Sequence, residues 1–180
     1  WLKYEGPTEP TFTGSLGNSF TYKNVHLNVF FTYSGGNVVR LDPVFSYRYS
    51  DLTATTREFK NRWMRPGDEH RTNIPVIADK YMNVNDSYLS RAYNAYNYSS
   101  DRIAKGDFIR LKEISLSYDL PKKWIEPLKI SNLGLKLQAT NLFLLYADDK
   151  LNGQDPEFFN TGGVAVPMAK QFTFTIRLGI

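Results

Sequence analysis

Residues 170–180 read Lys170-Gln171-Phe172-Thr173-Phe174-Thr175-Ile176-Arg177-Leu178-Gly179-Ile180. Successive side chains of an extended chain point to opposite faces. Phe172, Phe174, Ile176, Leu178 and Ile180 therefore share an apolar face, and Thr173, Thr175, Arg177 and Gly179 a polar one. Four other stretches carry the same period of two. In 11–23, Phe12, Leu16, Phe20 and Tyr22 oppose Thr13, Ser15, Ser19 and Thr21, with Asn18 breaking the apolar row. In 24–36, Val25, Leu27, Val29, Phe31 and Tyr33 oppose His26, Asn28, Thr32 and Ser34. In 107–120, Ile114, Leu116, Tyr118 and Leu120 oppose Glu113, Ser115, Ser117 and Asp119, while Arg110 and Lys112 sit in the apolar row. In 133–147, Leu133, Leu135, Leu137 and Ala139 oppose Gly134, Lys136, Gln138 and Thr140.

These strands run 11 to 15 residues. Strands of soluble proteins average about five or six, whereas a strand tilted through a bilayer needs about 9–11. The connections alternate in length. A tight turn near 22–25 and a modest one at 121–132 contrast with long loops at 37–106 and 148–169. In an antiparallel meander this puts both short turns at one end and both long loops at the other, the asymmetry of an outer-membrane barrel. Tyr22, Tyr118 and Trp124 fall at the short-turn end, and Phe12, Tyr33, Tyr146 and Phe172 at the other, as two aromatic girdles would. The expected fold is all-β: an antiparallel meander forming C-terminal strands of a transmembrane β-barrel.

Composition agrees. The 180 residues are 42% hydrophobic and 15% aromatic with net charge +4, which excludes a disordered chain and gives no case for nucleic acid. Zero cysteine excludes disulfide scaffolds, thiolate metal sites and cysteine nucleophiles. No apolar run reaches the length of a membrane helix, and the mean hydropathy of −0.42 is that of strands with one apolar face plus polar loops. Residue 1 is Trp, not Met, so the expectation is a processed chain or part of a longer one.

The long loop is expected to hold a short helix over 51–64, stopped at Arg65-Pro66-Gly67. Residues 83–100 are dense in Asn, Ser and Tyr, a composition suited to carbohydrate or peptide contact because a planar ring covers an apolar face while its hydroxyl bonds. Candidate substrate or partner contacts are Trp63, Tyr81, Tyr93, Tyr96, Tyr98, Asp155 and Glu157. No catalytic motif occurs: there is no G-x-S-x-G, P-loop or G-x-G-x-x-G. His26 and His70 lack metal-ligand spacing, and 148–155 has Lys150 where a calcium loop wants an oxygen ligand. The expectation is therefore no enzyme, no metal and no cofactor.

Several motifs stand in a fixed order. Residues 106–121 read Gly-Asp-Phe-Ile-Arg-Leu-Lys-Glu-Ile-Ser-Leu-Ser-Tyr-Asp-Leu-Pro, with Asp107, Phe108, Arg110 and Leu111 at their head. Asn141-Leu142-Phe143, Asp155-Pro156-Glu157, and Gly162-Gly163 with Pro167 come next. Pro10-Thr11-Phe12-Thr13-Gly14 opens the first strand, and Arg62-Trp63, Pro66-Gly67-Asp68 and Ile74-Pro75 mark the long loop. Together they resemble the C-terminal segment of SusC/RagA-family TonB-dependent outer-membrane transporters of Bacteroidetes. Ile180 departs from the aromatic with which such barrels usually end. The resemblance implies a 22-stranded barrel of which this chain supplies the last five strands, with the plug domain and TonB box outside it. It implies uptake of oligosaccharides or peptides, a SusD-like surface lipoprotein partner, energy from the TonB complex through N-terminal regions, and contact with outer-membrane lipid. Two other architectures share part of the pattern: a small self-contained outer-membrane barrel, and a soluble all-β carbohydrate-binding module with two packed sheets.

Overall fold

A computed structural model of the chain describes residues 2–43, 57–76, 89–159 and 168–180. Five long strands form one antiparallel sheet: β1 (Phe12–Tyr22), β2 (Val25–Gly35), β5 (Phe108–Asp119), β6 (Asn132–Ala147) and β7 (Gln171–Gly179), in the order β1-β2-β5-β6-β7. Two short strands, β3 (Val38–Arg40) and β4 (Ile103–Lys105), pair at the foot of the long loop. Each of the five alternating stretches forms a strand, ending within a few residues of where the alternation does. The sheet is open: β1 and β7 each pair on one side only. A closed barrel of this chain alone would require them to meet.

One face of the sheet is apolar and uncovered. The row Phe20, Leu27, Leu116, Leu137 and Phe174 is in register across all five strands, and Tyr22, Val25, Tyr118, Leu135 and Ile176 form the next. Phe172 is 72% exposed and Leu16 62%. No second sheet lies over this face among the described residues, which a soluble sandwich would need. An apolar surface of this extent has a non-aqueous neighbour. The opposite face is a polar ladder, in which Ser19 Oγ donates to Asn28 Oδ1 at 2.6 Å and Asn28 Nδ2 donates to Ser115 Oγ at 3.4 Å.

The alternation in β5 needs a correction. Simple period two places Arg110 and Lys112 on the apolar face. In the structure Phe30 pairs with Glu113 and Phe31 with Leu111, so Lys112 is an extra residue on β5. On the other side, Leu111 pairs with Phe143 and Glu113 with Thr140, and Asn141 in β6 takes φ of 53°. A bulge inserts one residue and re-aims the side chains past it. Beyond it, Ile109 and Leu111 join the apolar face with Tyr33 and Phe31, and Arg110 turns to the polar face opposite Thr32.

The two ends of the sheet differ. At one, β1 turns into β2 through Lys23, whose φ of 52° permits the two-residue reversal, and Asn24 Nδ2 donates to the Asp119 carbonyl at 2.7 Å. β5 and β6 join there through one helical turn, Lys122–Ile125, with Ile125 buried. The other end carries the long loops and the small core of Val39, Leu41, Ala104 and Leu151, flanked by Ala147 and Phe159. The helix expected over 51–64 is, in its described part, a 3-10 turn at Arg57–Asn61; residues 51–56 lie outside the described residues. The Tyr-rich stretch holds an α-helix that composition did not announce, α1 (Leu89–Asn97).

Candidate functional site

The chemistry concentrates at the long-loop end. Arg110, turned inward by the bulge, has a side chain only 8% exposed. Its Nη2 donates to both carboxylate oxygens of Asp155, at 2.6 and 2.5 Å, and lies 3.2 Å from Glu157 Oε2. The Phe108 ring sits 5.6 Å from the guanidinium carbon. A buried charge is tolerated only when paired. The Asp-Pro-Glu turn of the last loop is thus held onto the inner face of β5. Asp155 also caps its own turn, accepting from the Glu157 N–H at 3.1 Å, and Pro156 is buried.

Asp107 performs a second tie. Its Oδ1 accepts from the Gly36 N–H at 2.7 Å. Gly36 has φ of 81°, and a Cβ there would fall 1.8 Å from Thr11 Oγ1, so glycine alone fits this close crossing of chain segments. Arg102, 2% exposed, makes a third: Nη1 lies 2.6 Å from Glu58 Oε1, and Nη2 donates to the Asp42 carbonyl at 2.5 Å. The three ties anchor both long loops to the ends of β2, β4 and β5.

The aromatic candidates separate by environment. Tyr93 is 4% exposed and its hydroxyl donates to the Val76 carbonyl, so it packs inside the loop. Tyr96 is half-buried beside Arg102, and burial pushes its hydroxyl pKa up. Tyr98 is 69% exposed with Arg40 over its ring. Trp63 Nε1 donates to Glu69 Oε2 at 3.0 Å, within a turn in which Asp68 Oδ2 accepts from the N–H groups of Met64 and Arg65. The indole N–H holds the Glu69 carboxyl below its usual range, and the Met64 N–H does the same for Asp68. Tyr81 lies outside the described residues. Asp155 is almost fully engaged by Arg110, and Glu157 is the more open of the two carboxylates.

Between the start of β1, the inner side of β2 and the Asp-Pro-Glu turn lies a groove of about 680 Å³. Phe30 and Phe108 give it apolar surface, Thr32 and Ser34 hydroxyls, and Lys112 and Glu157 opposite charges. Such a lining receives a ligand with both polar and apolar parts. Among the described residues no group of three or more His, Asp or Glu converges as a metal site. The Asp148 oxygens accept from the N–H groups of Lys150 and Lys105 and so serve as a cap.

The structure brings Phe108, Arg110, Asp155 and Glu157 together, although the last two lie far along the chain from the first two, and it places Asp107 apart from them, against Gly36. Leu111 is buried at the bulge, Asn141 forms it, Leu142 is half-buried beside it, and Phe143 stands on the apolar face. Sequence reasoning missed Arg102 and Glu58, which have no local pattern around them. Their partnership exists only because β4 returns to β3.

Similarity to known proteins runs along the same lines. No family model matches the chain. Two receptors of Formosa agariphila are similar in sequence: TonB-dependent receptor P39, 26% identical over 87% of this chain, and TonB-dependent receptor P3, 26% identical over 86%. The chain spans 14% of the length of each. The fold matches the RagAB peptide importer in its open-open state with TM-score 0.68 at 20% identity, over 99% of this chain and 18% of that one. The closed-closed state gives 0.68 at 22% identity, over 98% and 18%. The chain is thus similar in sequence to TonB-dependent receptors over most of its length, and in fold to part of the RagAB importer.

Proposed function

We propose that this chain is the closing part of the wall of a TonB-dependent, SusC-like importer in a bacterial outer membrane, taking up oligosaccharides or peptides. The carrying observation is the uncovered apolar face in register across five long strands, with both long loops at one end. The strands meet lipid on that face and line or back the lumen with the other. The loops, tied down through Arg110, Asp107 and Arg102, form part of the outer vestibule and of the seat for a SusD-like surface lipoprotein. Coupling to the TonB complex belongs to regions outside these residues. Peptides are the first substrates to test, since the structural neighbours are named peptide importers. The chain's role is binding and confinement, not catalysis.

Among the sequence candidates, Trp63, Tyr98 and Glu157 are the contacts we assign first, because Tyr93 and Asp155 are occupied within the protein. In the full-length protein, replacing 148–169 by a short Gly-Ser link should leave a heat-modifiable barrel in the outer membrane but abolish uptake and lower co-purification of the lipoprotein. Unchanged uptake would overturn the vestibule role. A protein that is monomeric and folded without detergent would overturn the membrane reading itself.

A further inference from the structure

The turn between β5 and β6 gathers features that the import reading leaves unused. Lys122, Lys123 and Lys129 are exposed and form no ion pair among the described residues. Trp124 is 65% exposed and Leu128 66%. Glu126 is the one acid within the turn. The neighbouring turn repeats the combination, with Lys23 Nζ 5.3 Å from the ring of Tyr22, itself 72% exposed.

The turn is held in place. Ile125 is 3% exposed, the Leu120 N–H donates to the Leu133 carbonyl at 2.9 Å, and the Ser131 N–H donates to the Gly179 carbonyl at 2.9 Å. A fixed turn that keeps a Trp, a Leu and three unpaired cations in the open has a surface to meet. It lies directly past the end of the apolar band, where Leu178 is 56% exposed. Trp and Tyr partition to the membrane–water interface, and lysines there bury their stems while the ammonium reaches outward. Unpaired ammonium groups at that depth face lipid phosphates, and acidic headgroups attract them.

We propose that residues 121–131 form a docking surface for the acidic phospholipid headgroups of the leaflet at the short-turn end. The inference rests on the membrane-wall reading and adds a lipid selectivity to it. Continuity with the apolar band and the charge of the turn favour lipid over a soluble acidic partner.

The test uses the full-length transporter in a nonionic detergent, offered phosphatidylglycerol or phosphatidylcholine, with lipid retention read by native mass spectrometry. Wild type should retain phosphatidylglycerol preferentially. The triple variant Lys122→Gln, Lys123→Gln, Lys129→Gln should lose about tenfold of that preference, given roughly fivefold per surface lysine before screening. The triple Lys→Arg variant should keep it, and Lys150→Gln at the opposite end should leave it unchanged. Added salt should erode it in wild type. Equal retention of the two lipids by wild type, or a triple Gln variant that behaves like wild type, overturns the proposal. If the triple Gln variant fails to assemble, the Arg variant and the salt titration decide. A full-length protein that needs no detergent and retains neither lipid would instead sink the membrane-wall reading.

Discussion

At the scale of single residues, Arg110 does most to hold the loops. It is a cation with two carboxylates on one nitrogen, buried where water cannot replace a lost partner. Arg110→Leu strands Asp155 as an unpaired carboxylate, and breaking a buried pair costs about 3–5 kcal/mol. The expected outcome is loss of amide protection over 148–159 by hydrogen exchange, with the strands unaffected; unchanged protection would show that the turn is held by other means. Lysine is not an equivalent, because its compact ammonium is more strongly hydrated than a guanidinium and costs more to bury. The Trp63 turn responds to acid. Asp68 and Glu69 have folded pKa values below their usual ones, so their stabilising contribution is present above the unfolded values and is lost as pH falls through the folded ones. A fluorinated Trp63 should keep one 19F resonance at neutral pH and shift only below about pH 4, where carboxylates titrate. A shift near pH 6 would contradict this. Glu69→Gln should remove most of the transition.

Among the elements, the bulge is the feature that matters most. It lets one strand present Ile109 and Leu111 to the apolar side and Arg110 to the polar side, next to a lower half that alternates the other way. Deleting Lys112 would join Leu111 directly to Glu113 and keep Arg110 on the polar side; plain alternation through Lys112 would instead put Arg110 on the lipid side. An Arg on the lipid face costs up to about 2–4 kcal/mol, less near the interface, and the loop latch is lost as well. The deletion should therefore keep the heat-modifiable folded band in outer-membrane fractions, as should Lys112→Ala, and loss of the band on deletion would contradict this. Asn141 at φ of 53° sets the matching irregularity in β6. Asn141→Gly should be tolerated, while Asn141→Val should destabilise by about 1–3 kcal/mol, since a β-branched side chain resists the left-handed region. Chemical denaturation of the barrel reads the difference.

For the whole molecule, the two faces of the sheet predict opposite tolerances. Phe174 and Thr175 are neighbours in β7, one on each side. Phe174→Arg should impair assembly into the outer membrane, and Thr175→Arg should be accepted on the polar side. Equal effects would remove the case for a lipid-facing surface. The open edges of β1 and β7 carry a further consequence, because an unpaired long edge templates aggregation. Expressed alone, these residues should aggregate; within the full-length chain both edges should show protected amides.

The strand set, its two faces and the asymmetry of its ends were legible in sequence, because period two and loop length are local properties that any extended chain must express. The motif order was legible for the same reason. Three things were not. Residues 89–97 look like loop by composition, yet they coil into α1, whose Tyr93 and Tyr96 pack against the loop and Arg102 rather than into a face readable from periodicity. The side on which Arg110 stands depends on one inserted residue in β5, and only the pairing of β5 with β2 and β6 reveals it. The division of the candidates into occupied Asp155 and Tyr93 and open Tyr98 and Glu157 depends on which distant groups reach them. Sequence by itself determined the alternation, and so the class of fold. Tertiary structure alone decided the latch and the exposed contacts, because ion pairing and burial are set by distances between segments that lie far apart along the chain.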